Sequence, residues 1–184
     1  MVKVINDKLL CRIKQGDEKS FRILFNFIYP KLINIALIYI PNKADAEDVV
    51  SNVFFKLWKN RKKIENIDNI ESYLCVSVKN QSLSFIKKNK KIISASELSD
   101  SILEIPDYSI DSEENIFIEE LYQHIDRVTD LLPTKCKEIF KLAKVEGIKY
   151  KQISEMLNIS IKTIDSQVSI AVKRISNSIK TKNK

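Results

Sequence analysis

Glycine is nearly missing from this chain, with 2 in 184 residues beside 4 prolines. A sandwich or barrel needs frequent turns, so an all-β fold is excluded, and long stretches of helical periodicity point to an all-α one. The same scarcity removes any Gly-rich phosphate loop. A single histidine, His124, has no cysteine pair and no HExxH context, so neither a metal nor another cofactor is implied. Cys11, Cys75 and Cys136 are odd in number, far apart and in no ligand spacing. Reduced, packed thiols are expected of them. No nucleophile is paired with a base, and the chain reads as no enzyme. No apolar run approaches a membrane span and the first residues lack a signal-peptide pattern. A cytoplasmic protein with no stable membrane insertion of its own is expected.

Positive charge is missing from one stretch only. Residues 92–121 hold no Lys or Arg and 9 Asp and Glu. Residues 1–91 carry 18 basic against 9 acidic side chains, and residues 122–184 carry 13 against 6. Two basic lobes thus flank an acidic connector in a chain of net charge +7, a balance compatible with nucleic acid. The connector is rich in Ser, Asp and Glu, contains Pro106, and lacks sustained helical periodicity until Ile116, Phe117 and Leu121. The expected organisation is a helical domain over 1–91, an acidic flexible linker over 92–115 and a second helical domain over 116–184.

In the first lobe, Val2 to Gln15 reads as a short amphipathic helix, with Gly16 ending it and Asp17 capping the next. Lys19 to Ile40 is a strongly apolar helix interrupted by Pro30. Its stripe of Phe21, Leu24, Phe25, Ile28, Leu32, Ile35, Ala36 and Tyr39 reads as core. The helix from Ala44 to about Lys62 has acidic Asp45, Glu47 and Asp48 at its start and basic Lys59, Arg61, Lys62 and Lys63 at its end, complementing the helix dipole. Its core stripe is Ala46, Val50, Val53, Phe54 and Leu57. Phe55 points away from that stripe and Trp58 flanks it. With Asp48, Ser51 and Asn52 they form a mixed aromatic and polar face of the kind that binds protein; the competing reading has another helix covering Phe55. The following helix, about Glu71 to Lys91, gathers Tyr73, Asn80, Ser84 and Lys87 opposite Ile70, Leu74, Val78 and Phe85. An aromatic, an amide and lysines on one face suit unpaired bases and phosphates, although such faces are usually just solvated.

Near the C-terminus, Tyr150 to Arg174 reads as two helices joined by a tight turn. Ile153, Met156 and Leu157 give the first an apolar edge. Asn158 suits a left-handed turn, Ile159 plugs the corner, and Ser160 is a good N-cap. The second helix places Ile161, Ile164, Val168, Ala171, Val172 and Ile175 on a buried stripe. Its opposite stripe collects Lys162, Thr163, Ser166, Ser169, Ile170 and Lys173, short hydroxyls and lysines suited to base edges and phosphates. This is a helix-turn-helix; the plainer alternative is a helical hairpin with a solvated outer face.

Taken in order, the runs GDEKSF (Gly16 to Phe21), AEDVVSNVFFKLW (Ala46 to Trp58), Ser72-Tyr73-Leu74 with Asn80, and LPTKCKEIF (Leu132 to Phe140), leading through Gly147 into the helix-turn-helix, resemble a bacterial RNA polymerase sigma factor of the extracytoplasmic-function group. The similarity covers nearly the whole chain except the acidic connector. It implies core RNA polymerase and promoter DNA as partners, and commonly an anti-sigma factor. The helix of Asp48, Ser51, Asn52, Phe55 and Trp58 is then the polymerase-binding one. Asn80 and Lys87 contact the opened strand of the −10 element, and the loop Ile67 to Ile70 helps capture a flipped base. Lys162, Thr163, Ser166, Ser169 and Lys173 read the −35 element. The connector is implied to thread the channel later used by nascent RNA, its carboxylates mimicking nucleic acid.

The sequence departs from the family pattern in places. Ser51 and Asn52 replace a usual Gln and acidic residue; Tyr73, Ser84 and Lys87 replace Trp, Asp and Arg, so −10 sequence preference does not carry over. Lys149 replaces a hydroxyl N-cap, and Asp165 adds a negative charge to the recognition helix. Two rival functions stand beside this one. One is a helix-turn-helix regulator that binds its operator independently of polymerase, and the other is a protein-sequestering regulatory module.

Overall fold

The computed structural model describes residues 5–93 and 113–182, with side chains over 5–89 and 122–180. Contacts divide the chain into two compact units, Met1–Leu103 and Glu104–Lys184, and the described residues of both are helical. Most of the stretch read as an acidic linker, with the carboxylates read as a nucleic-acid mimic, lies outside the described residues.

In the first unit α1 spans Asp7–Lys14, α2 Glu18–Leu37, α3 Lys43–Lys59 and α4 Ile70–Ile93, with a 3₁₀ turn Arg61–Asn66 after α3. α1 begins later than the apolar pattern suggested because Asn6 is its N-cap, accepting from Leu9 N at 2.9 Å. Gly16 takes φ +92°, and Asp17 then caps α2, accepting from Lys19 N at 3.2 Å and from Ser20 Oγ at 2.6 Å. The Ser20 hydroxyl holds the Asp17 carboxyl below its ordinary range.

Pro30 does not interrupt α2, which runs through it. Proline at this point deprives the Asn26 carbonyl of its helical donor, but Asn26 and Pro30 are both exposed, so water is at hand to replace it. The buried column of α2 is Leu24, Ile28, Leu32, Ile35 and Ala36, and it packs against Ala46, Val50, Val53 and Leu57 of α3 and Leu74 and Val78 of α4. Phe21, Phe25 and Tyr39, read from sequence as core, are half-buried. Lys31 Nζ joins α2 to Glu71 of α4 at 2.6 Å, and Lys14 joins α1 to Glu65 of the 3₁₀ turn.

The second unit holds α5 (Glu113–Asp130), α6 (Thr134–Phe140), α7 (Tyr150–Leu157) and α8 (Ile161–Lys182). A π turn, Lys141–Val145, extends α6, with Glu146 N donating to Lys141 O at 3.0 Å. Leu132, Cys136, Phe140, Ala171 and Ile175 form a core, packed against by Ile125, Val128 and Ile179. His124 Nε2 lies 3.0 Å from Ser178 Oγ, tying α5 to α8.

The buried seam of α8 is narrower than its apolar pattern. Ile164, Val168, Ala171 and Ile175 are buried, whereas Ile161 and Val172, expected on the same stripe, are 50% and 46% exposed. They fall about 60° and 80° round the helix from Ile164, beyond the arc that α5, α6 and α7 cover. The thiols also divide: Cys75 and Cys136 are buried, but Cys11 is exposed rather than packed. Burial pushes the Cys75 thiol up to about 11 and raises that of Cys136. Among the described residues no helix is long and apolar enough to cross a membrane.

Candidate functional site

On α3 the angular separation read from sequence is realised. Ala46, Val49, Val50, Val53, Phe54 and Leu57 face inward, while Asp48, Ser51, Asn52 and Phe55 are exposed and Trp58 is half-buried. Phe55 is 65% exposed, so none of the described helices of the unit covers it. Asn42 starts α3, its side chain accepting from Asp45 N at 3.1 Å.

Beside this face lies an open hollow of about 580 Å³. Ser51, Phe54, Phe55 and Trp58 of α3 form one wall, and Glu18, Phe21, Arg22, Phe25 and Asn26 of α2 the other. Its aromatic rings hold one another in place. Phe21 lies 4.8 Å from Trp58 and 6.0 Å edge-on to Phe54, and Phe25 lies 4.6 Å from Phe54 and stacks on Tyr29 at 4.7 Å. Phe21 and Phe25, which helical spacing puts in the core, instead form part of this wall. The signal was present: Phe21, Phe25 and Tyr29 form their own i, i+4 column, one step round from the Leu24, Ile28 and Leu32 column. Asp48 and Asn52 sit on the same exposed side of α3 but do not line the hollow.

A second, smaller hollow of about 250 Å³ opens between α3 and α4. It is lined by Val53, Lys56, Tyr73, Ser77, Asn80, Gln81 and Ser84. Asn80 and Tyr73 therefore meet there, as the helix face predicted, while Lys87 is exposed further along α4 and stays outside it. Lys56 and Gln81, which the helix-face pattern did not single out, bridge the two helices through Lys56 Nζ donating to Gln81 Oε1 at 2.8 Å. Ser84 Oγ is turned back onto Asn80 O at 2.8 Å. In the loop before α4, Asn69 acts as a cap, its Oδ1 accepting from Ser72 N at 3.0 Å.

The helix-turn-helix corner follows the sequence closely. Asn158 adopts φ 53° and ψ 50°, and its N–H donates to Ser154 O. Ser154 Oγ closes the turn on Ile159 O at 2.6 Å. Ser160 caps α8, accepting from Thr163 N at 3.1 Å, with the two hydroxyls 2.9 Å apart. Lys162, Thr163, Ser166, Ser169 and Lys173 are all exposed. Two of them carry a local bond: Thr163 belongs to the cap, and Ser166 Oγ donates to Lys162 O at 3.0 Å. Asp165 is also exposed on α8. Lys149 precedes α7 in extended conformation and makes no side-chain cap bond.

Comparison with known proteins agrees with this arrangement. The Sigma-70 region 2 family matches residues 24–92, and the Sigma-70, region 4 family matches residues 122–175. The ECF RNA polymerase sigma-E factor of Escherichia coli (strain K12) is 22% identical over 188 residues, covering 97% of each chain. That of Haemophilus influenzae is 24% identical, covering 97% of this chain and 98% of its own. Among solved structures, the sigma factor RpoE in complex with the anti-sigma factor NepR from Bartonella quintana superposes with a TM-score of 0.66 at 21% identity. It covers 88% of this chain and 98% of that one. CnrH in complex with the cytosolic domain of CnrY gives 0.60 at 14% identity, covering 94% and 96%. Region 2 thus coincides with the unit that carries both hollows, and region 4 with the unit that carries the helix-turn-helix. The chain belongs to the sigma-70 family, as a sigma factor of the extracytoplasmic-function group that directs core RNA polymerase to its promoters.

Proposed function

We propose that the tasks of this sigma factor are divided between faces. Asp48, Ser51, Asn52, Phe55 and Trp58 dock on core polymerase, Asn80 and Lys87 engage the opened −10 strand, and Lys162, Thr163, Ser166, Ser169 and Lys173 read the −35 element. Under this reading the domains are 1–91 for docking and the −10 element, 92–115 as linker, and 116–184 for the −35 element. The observation that carries it is Phe55, a large aromatic 65% exposed on a helix whose inner stripe is fully packed. Such a residue stabilises the molecule little where it stands, and its burial against a partner is favourable. The hollow beside it offers a socket, and aromatic anchors in sockets dominate protein interfaces.

No covalent chemistry is assigned to the chain. Each unit alone binds its target weakly, and joining them to one polymerase raises the effective concentration of the second contact. An anti-sigma factor is a further partner in this reading, covering the docking residues when transcription is off, and the site of action is the cytoplasm. Run-off transcription with core polymerase on a promoter library tests the assignment. Adding the protein yields discrete transcripts, and Phe55→Ala sharply reduces them at protein concentrations that just saturate core with the parent chain. Tight binding of the free chain to promoter duplex, with no gain on adding core, is the result that overturns it.

A further inference from the structure

Just past the docking helix stands a residue that lines neither of the two hollows described above. Arg61, the first residue of the 3₁₀ turn after α3, places its guanidinium carbon 4.6 Å from the centroid of the Trp58 ring. Its Nη1 donates to the Trp58 carbonyl oxygen at 3.1 Å. Its Nε is buried with no hydrogen-bond partner. Among the described residues no carboxylate forms an ion pair with it. Both of its polar interactions thus go to Trp58, one to the ring and one to the backbone. An unpaired buried donor costs stability, so a role purely in holding the fold together is a poor account of this side chain.

A guanidinium over an indole face is attracted by the ring quadrupole, and its planar fork is preorganised for stacking. Phe21 meets the same indole at 4.8 Å. The left-handed Gly16 corner between α1 and α2 lies beside the guanidinium: a Cβ there would fall 3.7 Å from Nε and 3.8 Å from Nη2. The turn that Arg61 opens is in turn tied to α1 by the Lys14–Glu65 pair.

We propose that Arg61 is a positioning residue that fixes the Trp58 indole as a wall of the α3 hollow, so that core polymerase meets a preformed surface. The inference rests on Trp58 being a docking residue. Its physical basis is preorganisation: ordering a free aromatic side chain at the moment of binding subtracts from affinity, and a ring already held escapes that cost.

Trp58 is the one tryptophan beside 6 tyrosines, so fluorescence excited at the red edge, where tyrosine does not absorb, reports on it alone. Emission anisotropy and iodide quenching are measured on the full chain for the parent, Arg61→Met and Arg61→Lys. Core polymerase affinity is measured for these three, for Trp58→Ala, and for the double variant that combines Arg61→Met with Trp58→Ala. Arg61→Met is expected to lower the anisotropy, increase quenching and weaken core binding about fivefold. Arg61→Lys keeps a cation and recovers part of both signals. In the Trp58→Ala background, Arg61→Met costs no further affinity, because the two act as one unit. Unchanged anisotropy and quenching in Arg61→Met overturn the positioning role itself. A full additional loss in the double variant overturns it as well, since Arg61 then acts on its own account. Unchanged core affinity in Trp58→Ala instead sinks the docking reading beneath it. Should Arg61→Met unfold, Arg61→Lys carries the same comparisons.

Discussion

The exposed faces of α3 and α8 are made of opposite materials. On α3, Phe55 and Trp58 stand at the rim of a hollow whose far wall is Phe21 and Phe25. On α8, Lys162, Ser166, Ser169 and Lys173 form a stripe of amines and hydroxyls. Burial of aromatic surface is strong, non-directional and nearly indifferent to salt. Phosphate contacts by lysine are strongly salt-dependent, and hydroxyl bonds to base edges are weak but directional. On the roles proposed above, this contrast gives affinity to α3 and discrimination to α8. Under the same proposal, a small set of base-reading groups is enough, because the other unit brings them to the promoter.

The sharpest way to break this comparison is at Phe55. Phe55→Ala is expected to weaken core binding about 30-fold, equivalent to about 2 kcal/mol for an aromatic anchor. Because the lost term is apolar, the factor should hold from low to moderate salt, which a titration at two ionic strengths reads directly. A loss that shrinks steeply with added salt means that charge, not the aromatic socket, carries the α3 face. Next in size is the pair Lys162→Ala with Lys173→Ala, which should weaken promoter binding by the holoenzyme about tenfold. It should also make the log–log salt dependence shallower by about two, one for each phosphate contact removed. Core affinity stays as it was.

Ser166→Ala should have a smaller effect, about fivefold or roughly 1 kcal/mol, confined to one −35 position. Its hydroxyl proton is already given to Lys162 O at 3.0 Å, leaving the oxygen lone pairs as the part directed outward. As an acceptor it favours a base that offers an amino group in the major groove, cytosine or adenine. Binding measured across the four bases at that position should therefore level out in the variant. An unaltered preference removes Ser166 from the reading set.

Much of this contrast was legible in the sequence, because both faces are angular facts. A helix of 3.6 residues per turn sorts side chains by direction, so the isolation of Phe55 from Ala46, Val50, Val53 and Leu57 follows from their spacing alone. The corner was legible for a different reason: Asn158 and Ser160 have backbone preferences of their own, and φ 53° with a Ser160 cap bears them out. What periodicity cannot supply is the width of the covered arc, which depends on how many neighbours pack there. For that reason Ile161 and Val172 lie outside the seam their spacing predicts, and Phe21 and Phe25 wall a hollow instead of joining the core. Pro30 misled because a proline's cost depends on whether the orphaned carbonyl reaches water. The Arg61–Trp58 contact was hidden because a basic residue at a helix end already had a sufficient explanation in the helix dipole.

The smallest expected effect concerns the two starts within the helix-turn-helix, which are capped unequally. α8 begins at Ser160, whose hydroxyl takes the Thr163 N–H. α7 begins at Lys149, whose side chain makes no such bond although its backbone, at φ −63° and ψ 140°, already has the extended form of an N-cap. Lys149→Ser supplies the missing acceptor without asking the chain to move, and should stabilise the second unit by about 0.5–1 kcal/mol. Denaturant unfolding of the full chain, followed by far-UV dichroism while Trp58 fluorescence reports the first unit, separates the two transitions. A rise in the second unit's midpoint with the Trp58 transition unmoved confines the gain to α7. Loss of one lysine also removes a positive charge beside that helix, so −35 affinity serves as the control. If it falls as the midpoint rises, Lys149 was kept for DNA contact at the expense of the cap.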